Sequence, residues 1–185
     1  ALGLTHDLQN KVLGHFERFE FQPAMQAIQT FCSEDLGGFY LDILKDRLYT
    51  AGADSLPRRA AQTALHHILQ SLTRLIAPVL SFTAEEIWHT MNPDPDDSVF
   101  LHGYHALPPL ADATPLKTRW TALREIRALA LKSIEDQRTA GAIGSSLQGE
   151  VEFQAAGDTY ALLASLGDDL RFVMITSAAS VQKLP

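Results

Sequence analysis

Leu4, Leu8, Val12 and Phe16 recur at four-residue intervals, which lines one face of a helix over about residues 2–17. From Pro23, acceptable in a first turn, the pattern Ala24, Ala27, Ile28, Phe31 predicts a second helix ending around Asp35. Gly37-Gly38 is read as an interruption, after which Phe39, Tyr40, Ile43, Leu44 and Leu48 predict a third helix down to about Tyr49. Residues 50–56 read as a loop. Ser55 with Pro57 then opens a longer fourth helix through Ala61, Ala64, Leu65, Ile68, Leu72 and Leu75, which stops near Pro78. Thr83 and Glu86 have the spacing of a capping box, and Phe82 with Ile87 that of a hydrophobic staple, so a short helix carrying Trp88 is expected to start there and end before Asn92.

The pattern changes near residue 110. Residues 98–109 are apolar and irregular, a linker expected to pack on the helices before it. A long helix follows over about 115–139, with Leu116, Trp120, Leu123, Ala130 and Ile134 on its apolar face. Glu150-Val151-Glu152-Phe153 alternates with period two and predicts a half-buried strand. A short helix near 158–166 and a second strand over Arg171–Ile175 complete the reading. The fold class is therefore mainly α: a helical bundle over residues 1–110, then a small α/β (α+β) segment over 111–185 with a long helix and a short sheet.

Composition narrows the function classes. The chain has 185 residues, of which 46% are hydrophobic and 20% charged, ordinary values for a folded domain. No apolar run is long enough to span a bilayer, no export signal opens the sequence, and the single Cys32 can form neither an internal disulfide nor a cysteine zinc site. A cytoplasmic protein without a membrane partner is the expectation. Net charge is −7, but residues 115–140 carry six cations (Lys117, Arg119, Arg124, Arg127, Lys132, Arg138) against three carboxylates. That segregation permits an RNA-facing stripe and equally a solvated helix face.

Two arginines sit where apolar residues belong. On a helical wheel Asp42, Lys45, Asp46 and Tyr49 share one face, Leu36, Tyr40, Ile43 and Leu44 the opposite one, and Arg47 falls inside the apolar arc. It either pairs with a carboxylate to hold helices in register or, with Lys45, presents charge to phosphate or a base edge. Arg127 lies inside the apolar face of the long helix and is read as a structural, interdomain cation. His102 and His105 form H-x-x-H without the context of a zinc site, and residues 141–149 lack the lysine of a phosphate loop. Cys32, inside a helical pattern, reads as a structural thiol. No catalytic constellation is present.

The run Phe39-Tyr40-Leu41-Asp42-Ile43-Leu44-Lys45-Asp46-Arg47-Leu48-Tyr49 resembles the F-Y-L-D-x-x-K-D-R-L-Y signature in the anticodon-binding bundle of bacterial-type isoleucyl-tRNA synthetases. Residues 77–88 are similar to the A-P-x-x-x-x-T-A-E-E-x-W element of class I synthetases for branched aliphatic amino acids. Arg127, Glu135, Arg138 and Ile143-Gly144-Ser145-Ser146-Leu147 resemble the run that enters the small α/β region after that bundle. The resemblance implies a C-terminal fragment that positions the anticodon stem-loop of tRNA(Ile) for ATP-dependent aminoacylation elsewhere in the same synthetase chain. Catalytic and editing sites are not within it. It implies no cofactor here, with ATP and magnesium, and a four-cysteine zinc module in many bacterial members, belonging to the full-length enzyme. Lys45, Arg47, Arg58, Arg59 and Arg124 are the tRNA-binding candidates; Arg127, Glu86 and Thr83 the structural ones; a monomer is expected. The same domain of a valyl- or leucyl-tRNA synthetase, or a helical protein-interaction module, are the alternatives.

Overall fold

The computed structural model describes residues 1–111 and 113–184, in two compact units, Ala1–Leu110 and Ala111–Pro185. The first is helical. α1 (Leu2–Glu17) and α2 (Phe21–Thr30) form a hairpin whose turn places Phe19 at φ 58°, in the left-handed region that a bulky side chain seldom adopts. Leu8 and Val12 of α1 meet Ala24 and Ile28 of α2 and Ile68 and Leu75 of α4 (Leu56–Ile76) in one apolar cluster. The four-residue spacing read in the sequence is thus the buried seam.

Gly37-Gly38 does not interrupt the chain. Residues Phe31–Leu41 continue α2 as a π-helical segment that runs into α3 (Asp42–Tyr49). A Cβ on Gly37 would stand 3.1 Å from the Cys32 carbonyl oxygen, and one on Gly38 3.3 Å from that of Ser33, each five residues back. Glycines sit where the wide turn brings backbone close, so they permit the helix here. Cys32 lies on the exposed side of this segment instead of in the core, and partial desolvation raises its thiol pKa.

α5 spans Ser81–Met91. Thr83 and Glu86 do not cap it: the helix has begun by Ser81, the preceding Leu80 makes no side-chain cap, and both Thr83 and Glu86 are exposed. Nor is Phe82 a staple, being 93% exposed. The turn from α4 sets the start, because Val79 and Leu80 both donate backbone N–H groups to the Ile76 carbonyl and Ser81 Oγ donates to that of Ala77. Trp88 is buried against Ala77, Ala84 and Val99.

After α5 a strap lies along the bundle. Trp88 Nε1 donates to Asp97 at 3.0 Å, the Val99 N–H to Glu85 at 3.0 Å, and Gln9 Nε2 to the His105 carbonyl at 2.9 Å. Asp97 also holds His102 at 2.7 Å, and this hydrogen bond keeps its carboxyl below the usual range despite desolvation. No helix among the described residues is long and apolar enough to cross a membrane.

In the second unit α6 (Ala113–Thr139) buries Leu123, Ala130 and Ile134, whereas Leu116 is exposed and Trp120 only half-buried. β1 (Glu150–Ala155) pairs in parallel with β2 (Ala178–Lys183), Glu150 opposite Ala178 and Ala155 opposite Lys183, with α7 (Gly157–Ala164) between them in sequence. The strand expected over residues 171–175 is instead part of a short helix, α8 (Asp169–Met174). Its buried residues Leu170, Val173 and Met174 have i, i+3, i+4 spacing, and Ile175 at φ 57° ends it before the strand. A short apolar run fits either element, and here the helical face is the one that finds a core.

Candidate nucleic-acid interface

Lys45 and Arg47 lie on opposite faces of α3, and Arg58 and Arg59 lie in the first turn of α4, at the corner of the first unit where α3 ends, α4 begins and the two helices pack. Thr50 closes α3, its backbone N–H and its Oγ1 both donating to the Asp46 carbonyl at 2.8 and 2.7 Å. Five residues later Ser55, in extended backbone, starts α4 with Pro57 in the first turn. The loop between is short and pinned: Ser55 N–H donates to the Gly52 carbonyl at 3.0 Å, and Arg58 Nη1 reaches back to the Ala51 carbonyl at 3.3 Å.

Two cations of this corner, Lys45 and Arg59, are only loosely paired. Lys45, 69% exposed, touches Asp42 at 3.0 Å one turn away on the same helix. Arg59 stands 3.7 Å from an almost fully exposed Asp54. Exposed pairs of this kind contribute about 0–1 kcal/mol, so either cation can change partners at little cost. Ser55 Oγ and Arg58 Nε are buried and have no hydrogen-bond partner among the described residues, and Ser55 makes no side-chain cap. The first N–H groups of α4 face the same loop, and their dipoles favour an anion. Arg47 differs: it is half-buried and engaged within the chain, and its charge bears on Tyr40, whose hydroxyl pKa burial raises.

Arg124 lies on α6 in the second unit, half-buried and likewise engaged within the chain. Arg127 is 6% exposed and its Nε donates to the Val173 carbonyl at 2.8 Å, joining α6 to α8. Arg119 reaches Ser165 Oγ at 2.8 Å and Arg138 pairs with Glu135 at 3.1 Å. The basic stripe of α6 is in good part tied to its own unit.

The sequence marks Tyr49 only as a member of a polar face. It is 83% exposed at the last residue of α3, one turn beyond Lys45 and two residues before the carbonyl that Arg58 holds. The wheel already places it opposite the core.

The histidines do not converge on a metal. His102 faces Asp97, and His105 faces His67, with 2.9 Å between Nε2 and Nδ1. Burial, then the charges of Arg74, His67 and His66, lower the His105 pKa. Among the described residues no three His, Cys, Asp or Glu side chains are grouped to hold a metal ion. An open groove of about 530 Å³ between α1, α2 and the start of the π-helical segment has a mainly apolar lining in which Asp7, Lys11, His15 and Asp35 also take part.

Residues 1–153 match the family of anticodon-binding domains of tRNA ligases. The chain is 56% identical over 184 residues to the isoleucine–tRNA ligase of Paraburkholderia xenovorans, an alignment covering 100% of this chain and 19% of that protein. It is 58% identical over 187 residues to the isoleucine–tRNA ligase of Nitrosomonas europaea, covering 99% and 20%. With that of Bordetella petrii identity is 56% over 191 residues, again covering 99% and 20%. The chain spans about one-fifth of the length of these curated relatives.

Proposed function

The chain belongs to the anticodon-binding domains of tRNA ligases, and on that premise we propose that it grips the anticodon stem-loop of tRNA(Ile) as part of an isoleucine–tRNA ligase. The α3–α4 corner is the contact surface in this reading. Lys45, Arg58 and Arg59 neutralise phosphates there, and unstacked loop bases are read from the same side. Arg47 holds α3 in the orientation that presents them. Positioning is the whole contribution: fixing the anticodon end of a rigid tRNA directs its acceptor end to a distant site where isoleucine is attached with ATP and magnesium. The same protein's other domains and the tRNA are the partners, and a monomeric, cytoplasmic enzyme is the setting. A four-cysteine zinc module, where the ligase carries one, needs thiolates beyond the single Cys32 of this chain.

The observation that carries this reading is the pair of exposed, loosely held cations at this corner, Lys45 of the K-D-R-L-Y helix and Arg59 of α4, in a family built to bind anticodons. Fluorescence anisotropy with the isoleucine anticodon stem-loop and an anticodon-swapped version, at low and moderate salt, tests it. Tighter binding to the cognate loop that weakens steeply with salt is the expected result. Equal, salt-insensitive binding, or none, contradicts it and favours a protein-docking role.

A further inference from the structure

An exposed aromatic ring by itself marks nothing, because single apolar side chains on a surface are ordinary. What surrounds each ring decides. Phe82 is 93% exposed, but Glu85 and Glu86 follow it on α5. Phe19, 79% exposed, packs edge-on against Phe21 at 6.3 Å and is flanked by Glu17 and Glu20, with Arg18 already held by Glu20 at 2.9 Å. Both rings stand beside carboxylates that repel a polyanion.

Tyr49 has mixed surroundings: Asp42 and Asp46 share its helix face, but so does Lys45, and Arg58 and Arg59 follow within ten residues. Between residues 42 and 59 four cations, Arg47 among them on the other face of α3, stand against three carboxylates in a chain of net charge −7. Lys45 lies one turn back on the face that carries Tyr49, and Arg58 and Arg59 open the helix across the short loop. The ring is 83% exposed and makes no hydrogen bond or ring contact with the described residues. Thr50, fastened twice to the Asp46 carbonyl, holds the backbone beneath it, so the ring is presented from an ordered helix end. An aromatic face bordered by exposed cations is the arrangement that takes an unpaired base on the ring and its flanking phosphates on the cations.

We infer that Tyr49 is the base-stacking platform of this surface, carrying one unpaired base of the anticodon loop while Lys45 and Arg59 meet the phosphates on either side. This rests on the reading that the corner binds an anticodon loop. The tyrosine then supplies the part of the affinity that salt does not screen, and the cations the part that it does.

The test uses the 185-residue chain and an isoleucine anticodon stem-loop carrying a fluorescent purine in the loop. Tyr49→Leu removes the π-face from a surface position; it is expected to keep helical content and melting temperature, lose affinity by roughly 5- to 100-fold, and abolish the quenching of the purine. Tyr49→Phe should bind within about two-fold of the parent chain, because stacking needs the ring and not the hydroxyl. Phe82→Leu should change nothing. Unchanged affinity and quenching in Tyr49→Leu, with the parent chain binding well, overturn the platform and leave the tRNA reading standing. Failure of the parent chain to bind any stem-loop overturns both.

Discussion

Along α6 an arginine is buried 6% exposed and gives its Nε to a backbone carbonyl, whereas at the α3–α4 corner a lysine and an arginine stay more than 60% exposed beside carboxylates they hold loosely. The residue types are the same; desolvation separates them. A guanidinium taken out of water must find fixed partners, and in doing so it becomes part of the fold. A cation left in water keeps its charge available to a ligand. Arg127 and Arg47 look alike in sequence, each inside an apolar arc, yet Arg127 is buried while Arg47 is half-buried beside Tyr40. Position on a wheel marks such residues without distinguishing them.

The largest effect is expected where the cation is buried. Arg127→Met should cost the second unit about 2–4 kcal/mol in urea unfolding, since the Val173 carbonyl loses its donor, and should leave stem-loop affinity unchanged. A loss of affinity with unchanged stability would reverse the two regions' roles. Arg47→Lys should come next, lowering stability by about 1 kcal/mol because the planar fork is lost at a half-buried place, with RNA affinity falling only as the fold does.

A pH dependence belongs to the first unit. His105 is held below its ordinary value, first by burial and then by Arg74, His67 and His66, so the unfolded chain takes up the proton before the folded one. Stability is therefore complete above about pH 6.5 and declines as pH falls below it. Thermal melting between about pH 7.5 and about pH 5.5 should show this, and His105→Gln should flatten it. The lowered carboxyl of Asp97 acts in a separate, more acidic window, where protonation releases His102 and Trp88.

The smallest stability change is expected at the corner. Lys45→Gln and Arg59→Gln should each shift unfolding by less than about 0.5 kcal/mol, while each lowers the slope of log affinity against log salt by about one. A stability loss comparable to that of Arg127→Met would mean that these cations hold the fold.

Much of the helical architecture was legible because its cores are repetitive. Leu4, Leu8, Val12 and Phe16 announced α1, and Ala61, Ile68 and Leu75 announced α4, in each case because burial of one face demands that spacing. The π-helical segment was not legible, since a glycine pair reads as a break until the five-residue approach of Cys32 and Ser33 is seen. The false capping box had a related cause. Thr83 and Glu86 match a local pattern, but the turn after α4 had already started the helix at Ser81. Residues 171–175 suggest a strand in sequence because a short apolar run lacks the length to choose between strand and helix. At the candidate site, charge and motif named the cations; what they could not show is which are tied down. The loose pairing of Lys45 and Arg59 and the exposure of Tyr49 depend on tertiary packing, which no local pattern encodes.

Mapping amide chemical-shift changes of the chain as isoleucine anticodon stem-loop is added tests this contrast most directly. Perturbations should concentrate between residues 42 and 59, with Tyr49 among them, and should be small around Arg127 and Val173. A map centred on α6 that leaves the α3–α4 corner unperturbed would contradict the account.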